Sequence, residues 1–331
     1  MSSDVILVIV VVTALAFDFT NGFHDTANVV ATSISTGAAR PSVAIGVASL
    51  LNFVGAFISI SVAATVANDV VNADVITPTI VFAGLIGAIA WNLITWWYGI
   101  PSSSSHALIG GIVGAVISKA GASKLVASGI LKTVAFIFIS PLLGYLLGSI
   151  MMVVVAWLFR RSSPLRVDNW FRRLQLVSAG LYSLGHGGND AQKTIGLIWL
   201  LLISSGYVAA SDTSPPIWVI AACYVAIGLG TMFGGWRIVL TMGQKITKLK
   251  PVGGFCAETG GAITLFLATA LGVPVSTTHT ITGAIVGVGS VQRASNVRWG
   301  VAGNIVWAWI FTIPASAFVA GVFYWVSFTM F

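Results

Sequence analysis

Two short polar stretches, each present twice, interrupt an otherwise apolar chain and include all four of its histidines. The first is Gly22–Asn28, which returns as His186–Lys193, and the second is Pro101–His106, which returns as Pro274–His279. Carboxylate, amide, imidazole and hydroxyl groups inside apolar sequence cost free energy, so they are candidates for a functional site. Because both halves keep the same order, we expect each half of one fold to supply half of one site.

The segments after Pro101 and Pro274 have the chemistry of an anion site. Proline disfavours helix in the residue before it, and hydroxyl groups that precede an apolar helix can cap its free N–H groups. Six hydroxyl residues follow the prolines: Ser103, Ser104, Ser105, Ser276, Thr277 and Thr278. Helix N-termini attract anions, so two such ends could enclose a small tetrahedral oxyanion. The alternative is that these hydroxyls only bond backbone carbonyls.

Asp25 and Asp190 have the chemistry of a cation or proton site. We expect each to lie in a broken helix that also exposes backbone carbonyls, which together with carboxylates bind sodium, or a proton. Lys193 occupies the position that matches Asn28. Its ammonium could pair with Asp190, contact the anion or replace a bound cation; alternatively, the side chain extends to a membrane interface.

Further ionisable side chains extend this set of candidates. His24 and His186 flank the two aspartates and could relay protons, whereas the other two histidines are expected to fix the geometry of the Pro–Ser segments. Glu258 is the only glutamate in the chain and lies within an apolar run, which makes it a candidate cation or proton site. Asp18 is a weaker candidate of the same kind.

Composition identifies the class of protein that must position these residues. Of 331 residues, 57% are hydrophobic and 8% are charged, and the mean hydropathy is +0.97. Soluble domains carry roughly 25% charged residues. The apolar runs Val43–Val66, Val134–Phe159 and Ile305–Phe328 each reach the ~20 residues that a membrane helix needs. We therefore predict an all-α polytopic membrane protein.

The repeated motifs divide the chain into two halves. Residues 1–159 are the predicted first repeat, residues 160–173 an Arg-rich cytoplasmic linker, and residues 174–331 the second repeat. We expect helix breaks at Asp18–Asp25 and Gly185–Asp190. We also expect the two Pro–Ser segments to form re-entrant hairpins.

Charge placement predicts the orientation. With the N-terminus outside, Arg40, the linker and Arg237–Lys250 all fall inside, and only Lys119, Lys124 and Lys132 fall outside. The net charge of +7 therefore reports topology and indicates no nucleic-acid partner. The first repeat then starts outside and the second inside, which makes the repeats inverted. Both termini are expected outside a multi-pass inner (plasma) membrane protein.

At these residues the chain closely resembles the inorganic phosphate transporter (PiT) family, and its bacterial low-affinity branch most of all. The resemblance rests on Asn21–Asn28, His186–Asp190 and the two Pro-x-Ser-Ser/Thr-Ser/Thr-His segments, and it extends over nearly the whole chain. It implies uptake of phosphate, free or as a metal–phosphate complex, by symport with protons; sodium drives other branches. Inverted repeats would put the site near the midplane, with access alternating as one bundle rocks against the other.

The resemblance implies cation and phosphate binding by Asp25, Asn28, Asn189 and Asp190, with the six hydroxyl residues as phosphate donors. The residue chemistry described above adds Lys193, Glu258, His24 and His186, and together they give the following assignments. Phosphate binding is assigned to Ser103, Ser104, Ser105, Ser276, Thr277, Thr278, Asn28, Asn189 and Lys193. The coupling proton or cation is assigned to Asp25, Asp190, Glu258, His24 and His186, with sodium, where it is the coupling ion, at Asp25 and Asp190.

Two departures from the sodium-coupled pattern bear on the coupling ion. Asn52 lies where sodium-coupled members tend to have Glu, and Lys193 lies where they tend to have Asn. Both changes remove a cation ligand or add positive charge, which favours protons. Glu258 matches the sodium-type pattern, however, so a sodium-coupled symporter stays the alternative.

Other classes of function fit less well. A passive anion channel or facilitator also suits paired half-helices, but two buried carboxylates would repel an anion unless a cation binds alongside. An enzyme is not expected, because Ser105 and His106 are adjacent and cannot face each other on a helix. The expected partners are inorganic phosphate, a proton or sodium, and the lipid bilayer, with a homodimer left open and no cofactor.

Overall fold

The computed structural model describes residues 3–55, 61–69, 75–209 and 211–330, which form a bundle of α-helices. The first half contains α1 Ser3–Ser35, α2 Pro41–Val54, α3 Ser61–Asp69, α4 Pro78–Tyr98, α5 Ser104–Ala120 and α6 Ala127–Leu158. The second half contains α7 Pro164–Ser204, α8 Ile217–Phe233, α9 Trp236–Leu240 with a π-helical continuation Thr241–Lys245, α10 Pro251–Ala270, α11 Thr277–Gln292 and α12 Trp299–Met330.

Several of these helices have the length and composition of membrane spans. Within the described ranges, five are long and apolar enough to cross a bilayer: α1, α4, α6, α10 and α12. A sixth candidate is α8 together with the helical segment that follows it, bent by 63° at the break between them. The predicted class, an all-α polytopic membrane protein, is confirmed.

The predicted breaks at the two aspartates are wrong. α1 runs unbroken for 33 residues through Asp25, and α7 runs unbroken for 41 residues through Asp190. Their polar side chains find partners on neighbouring helices, so the backbone keeps its own hydrogen bonds. Glycines in these motifs serve close packing instead, since a Cβ at Gly187 would lie 2.2 Å from the carbonyl oxygen of Asn52.

The structure adds detail at two other segments. The Arg-rich stretch 160–173 is helical from Pro164 onward. Proline is tolerated at the first position of a helix, because the N–H that it lacks would have no partner within the helix there. The predicted single span Val43–Val66 appears as two helices, α2 and α3, with residues 56–60 outside the described part. Residues 70–74 also lie outside it.

The two Pro–Ser segments do interrupt the chain where predicted. α4 ends at Tyr98 and α5 begins at Ser104, while α10 ends at Ala270 and α11 begins at Thr277. α5 has 17 residues and α11 has 16, fewer than the ~20 that a span requires. Whether these hairpins are re-entrant in a bilayer stays a prediction.

Packing between the halves is reciprocal. α6 packs against α11 while α12 packs against α5, and α1 packs against α8 while α2 packs against α7. Such interleaving is what two repeats related by a two-fold axis require, although their inverted orientation stays a prediction.

Glycines allow the closest of these contacts. A Cβ at Gly283 on α11 would lie 2.1 Å from the carbonyl oxygen of Pro141 on α6, and one at Gly114 on α5 would lie 2.1 Å from that of Ala317 on α12. Small residues at such positions let helix backbones approach within a membrane protein. The half-helices that follow the Pro–Ser segments are therefore held by long helices of the opposite half.

Gly283→Ala should destabilise this packing by about 1–3 kcal/mol, because the added methyl group overpacks a backbone contact. The measurement is thermal unfolding of the purified protein in detergent. Gly303→Ala on α12 is the matched control, since nothing lies within 4 Å of a Cβ there. It should be neutral or stabilising by up to about 1 kcal/mol. Equal melting temperatures for the two variants would contradict the close approach of α11 and α6.

Candidate functional site

The first turns of α5 and α11 meet inside the bundle. Ser103 Oγ accepts a hydrogen bond from the backbone N–H of His106, and Ser276 Oγ accepts one from His279, both at 3.2 Å. These serines are therefore the helix caps that the sequence predicted. The His106 and His279 rings lie 4.7 Å apart between centroids, and His279 stacks on Trp309 at 3.9 Å. Two helix N-termini are thus brought to one place.

The hydroxyl groups of these turns are buried and contact the other polar motif. Thr277 Oγ1 donates to Asp190 Oδ2 at 3.0 Å, and Thr278 Oγ1 accepts from Asn28 Nδ2 at 2.9 Å. Ser104 Oγ is buried and has no hydrogen-bond partner among the described residues. Hydroxyl residues predicted to bind an anion and Asp190, predicted to bind a cation or proton, therefore contact each other in one cluster, which includes an unsatisfied hydroxyl group.

Lys193 lies at the centre of this cluster and is 3% exposed. Its Nζ contacts Asp190 Oδ1 at 2.5 Å, Ser105 Oγ at 2.6 Å and the backbone oxygen of Val275 at 2.7 Å. These contacts use all three donors of the ammonium group. Of the alternatives for this residue, extension to a membrane interface is wrong, and the ion pair with Asp190 is what the structure contains.

The two aspartates each contact a histidine. His24 Nδ1 lies 2.7 Å from Asp25 Oδ1, and His24 Nε2 lies 3.0 Å from Thr95 Oγ1. His186 Nε2 lies 3.2 Å from Asp190 Oδ2. Ligand atoms of Asp25, His186 and Asp190 all lie within 4.8 Å of one another, which is close enough to hold a cation.

The charges of the cluster do not cancel when its histidines are neutral. The Lys193 ammonium neutralises the Asp190 carboxylate, and among the described residues Asp25 has no lysine or arginine partner. One carboxylate is therefore left for a bound cation or a proton to neutralise.

Glu258 lies outside this cluster. Its Oε1 accepts hydrogen bonds from Thr32 Oγ1 at 2.6 Å and Gln175 Nε2 at 3.0 Å, and its Oε2 accepts one from Ser178 Oγ at 2.5 Å. The side chain is fully buried. It forms a second polar cluster between α1, α7 and α10, with no contact to Asp25, Asp190 or Lys193 among the described residues.

Asn189 is positioned for a structural task. Its Nδ2 donates to Thr269 Oγ1 at 3.0 Å, and its Oδ1 accepts from the backbone N–H of Val275 at 3.4 Å. It bonds none of the six hydroxyl groups within the described residues. The amide instead ties α7 to the chain that connects α10 and α11.

Several polar residues around the site escaped the sequence analysis. Tyr182 OH donates to the backbone oxygen of Thr277 at 2.8 Å, Ser102 Oγ donates to Thr95 Oγ1 at 2.9 Å, and Gln192 Oε1 accepts from the backbone N–H of Val62 at 2.8 Å. Gln192 lies inside a repeated motif, and that position could have identified it as a candidate site residue from the sequence. Tyr182 and Thr95 have no such marker, because single hydroxyl residues are common in membrane helices.

The chain is similar in sequence to a known protein family and to individual proteins. Residues 21–320 match the model of the phosphate transporter family. The chain is 56% identical over 323 residues to a probable low-affinity inorganic phosphate transporter of Rhizobium meliloti, covering 97% of this chain and 96% of that protein. It is 45% identical over 325 residues to a protein of the same description from Bacillus subtilis, covering 97% of each.

A solved structure has the same overall shape. It is titled "The sodium-dependent phosphate transporter" and superposes with a TM-score of 0.89 at 26% sequence identity, covering 99% of this chain and 100% of that one. The fold described above is therefore one that has been observed before.

Proposed function

We propose, because this chain belongs to the phosphate transporter family, that it imports inorganic phosphate by proton-coupled symport. The relatives are named as transporters, so the chain is not assigned an enzymatic reaction. Phosphate crosses free or as a neutral metal–phosphate complex, and access to the site alternates between the two sides of the membrane.

The place for phosphate is the meeting point of the α5 and α11 N-termini. Free N–H groups and the positive end of each helix dipole favour an anion there. Ser104 has an unpaired buried hydroxyl group, and Ser105, Thr277 and Thr278 bond residues of the other motif. An entering phosphate would exchange these internal hydrogen bonds for bonds to its own oxygens.

The buried ion pair of Lys193 with Asp190 is the observation that carries proton coupling. An ammonium 2.5 Å from Asp190 Oδ1 neutralises that carboxylate and repels a metal cation from the same place. Asp25 is then the charge that must be neutralised before an anion enters, and His24 lies 2.7 Å from it. A proton on this Asp25–His24 pair removes the charge without any metal ion.

Sodium coupling is the alternative, and the three ligand groups of Asp25, His186 and Asp190 favour it. An imidazole nitrogen suits transition metals better than hard cations, and Lys193 lies beside one of the carboxylates. For these two reasons we propose coupling to protons rather than to sodium.

Uptake of labelled phosphate into proteoliposomes tests the proposal when proton and sodium gradients are imposed separately. We expect concentrative uptake with an acid exterior, and its collapse when a protonophore is added. Uptake that follows only the sodium gradient would identify the alternative. Uptake that ignores both gradients would identify a passive facilitator.

The protein is a multi-pass membrane protein, and we place both termini outside the inner membrane. The bias of Lys and Arg toward the segments 160–173 and 237–250 supports this orientation. Alkaline phosphatase fused after Phe331 should be active, because this enzyme folds only outside the cytoplasm. An inactive enzyme on a correctly inserted fusion would reverse the orientation.

Thr278→Val should raise the phosphate KM by about tenfold, since loss of one hydrogen bond to a charged group costs about 1.5 kcal/mol. The hydroxyl group of Thr278 lies at the N-terminus of α11 and bonds Asn28. Thr264→Val on α10 is the matched control, because that hydroxyl group only bonds the backbone oxygen of Gly260. Equal KM values for the two variants would remove Thr278 from the phosphate site.

A further inference from the structure

Asp18 is a buried carboxyl group that neither the phosphate site nor the Asp25–His24 pair uses. It is fully buried on α1, seven residues before Asp25. Seven residues make about two helical turns, or roughly 10 Å along the axis. Asp18 therefore shares a face of α1 with Asp25, and Thr32 continues the same face seven residues further on.

Each of these three α1 residues lies in a different polar environment. Thr32 bonds Glu258, and Asp25 lies in the central cluster. Asp18 Oδ1 accepts a hydrogen bond from Thr194 Oγ1 at 2.5 Å, and Thr194 directly follows Lys193 on α7. Asp18 thus lies next to the site, toward the N-terminus of α1.

The surroundings of Asp18 leave one of its oxygens unsatisfied. Oδ2 accepts no hydrogen bond from an N–H or O–H group of the described residues. From α8, the Cys223 thiol lies against the carboxyl group, and Tyr224 of α8 and Lys193 and Asp190 of α7 act on it electrostatically. Among the described residues no cationic group lies within ion-pair distance of it.

This environment differs from those of the other buried carboxylates. Glu258 receives three hydrogen bonds, and Asp190 contacts an ammonium, so the carboxylate oxygens of both have polar partners. A carboxylate with one hydroxyl donor and otherwise only the weak thiol donor of Cys223 is costly in apolar surroundings, and a proton on its open oxygen removes the cost. A hydroxyl or amide side chain could join α1 to α7 without this cost, so a purely structural role does not account for an acid here.

We propose that Asp18 is a second proton-binding site of the transport cycle, located between the phosphate site and the N-terminal end of α1. The inference rests on the proposed proton coupling. A proton from water adds to the open carboxylate oxygen and gives the neutral acid. It leaves again to water when the bundle opens on the other side, and no other bond forms or breaks.

Asp18→Asn tests this, because the amide keeps an acceptor for Thr194 but remains neutral throughout the cycle. A carrier that is permanently neutral at this position can exchange phosphate across the membrane, but it cannot release a proton here and therefore cannot return in the deprotonated, empty form that net uptake requires. We therefore expect net uptake driven by an acid exterior to fall to background, while exchange of internal for external phosphate persists. The alkalinisation of the medium that accompanies wild-type uptake should disappear as well.

Two further variants separate proton binding from packing. Asp18→Glu retains a carboxyl group and should recover net uptake in part. Thr194→Val removes the hydrogen bond between the helices but retains the acid, so net uptake should persist with a shifted pH profile.

Three results would overturn the inference. One is net proton-driven uptake in Asp18→Asn close to that of wild type. Another is loss of exchange together with uptake in both Asp18→Asn and Thr194→Val, which would show a packing role. The third is wild-type uptake that ignores the proton gradient, which overturns the proposed coupling as well and is visible without any variant.

Discussion

Asp190→Asn is expected to reduce phosphate uptake by at least about 100-fold, because it leaves the Lys193 ammonium buried without a counter-charge. Breaking a buried pair in this way costs about 3–5 kcal/mol, and 1.4 kcal/mol is a factor of ten. The change also removes the carboxylate that accepts from Thr277. Initial rates of uptake in proteoliposomes, at matched amounts of inserted protein, are the measurement. Asp25→Asn should have an effect of the same size, because under the proposed coupling it removes the charge that a proton must neutralise.

Asp168→Asn on α7 is the matched control for Asp190. Asp168 pairs with Arg172 at 3.3 Å on an exposed face of the same helix, and such surface pairs contribute less than about 1 kcal/mol. A double variant, Asp190→Asn with Lys193→Met, removes both charges and should recover folding but not uptake. Wild-type rates in Asp190→Asn would exclude this ion pair from the transport site.

Lys193→Asn is expected to abolish proton-driven uptake and to make uptake respond to sodium. Asparagine is the residue at the matching position of the first motif, Asn28, and it leaves Asp190 without its ammonium. Ligand atoms of Asp25, His186 and Asp190 already lie within 4.8 Å of one another. Removal of a buried charge partner worth about 3 kcal/mol should therefore favour cation binding there by about 100-fold.

Sodium-dependent uptake and sodium-induced thermal stabilisation are the two measurements for Lys193→Asn. Lys119→Asn serves as the control, since Lys119 contacts the hydroxyl of Thr77 and lies at the C-terminal end of α5. A Lys193→Asn variant that keeps proton-driven uptake and ignores sodium would show that Lys193 does not decide the coupling ion.

Local chemistry predicted the Pro–Ser segments well. Proline followed by hydroxyl residues determines both the break and the cap within a few residues, and Ser103 and Ser276 bond the third residue of the following segment as expected. No long-range contact is needed for this result. Patterns of this kind are therefore visible in the sequence alone.

The helix breaks at the aspartates were predicted for a reason that tertiary contacts overrule. Polar residues in an apolar run indicate a function but do not by themselves unwind a helix. Thr26 bonds the backbone oxygen of Gly22 within its own helix and that of Thr231 on α8. Partners of this kind satisfy the polar groups while the helix continues.

The pairing of Lys193 depends on residues far away in the chain. Ser105 lies 88 residues from Lys193 and Val275 lies 82 away, so the sequence left several alternatives for this ammonium. Glu258 was grouped with the aspartates because it too is an acid in an apolar run. Its partners Gln175 and Ser178 come from α7, and no spacing rule links them to α10.

The unbroken course of α1 and α7 has a mechanical consequence. At 1.5 Å per residue their 33 and 41 residues make two stiff rods of about 50 and 60 Å, each longer than the ~30 Å hydrocarbon core. Asp18, Asp25 and Thr32 are fixed on one rod, and Asp190 and Lys193 on the other. Neither rod is interrupted at its aspartate, so for the proposed alternating access we expect the movement at the contact between α1 and α7 rather than within either helix.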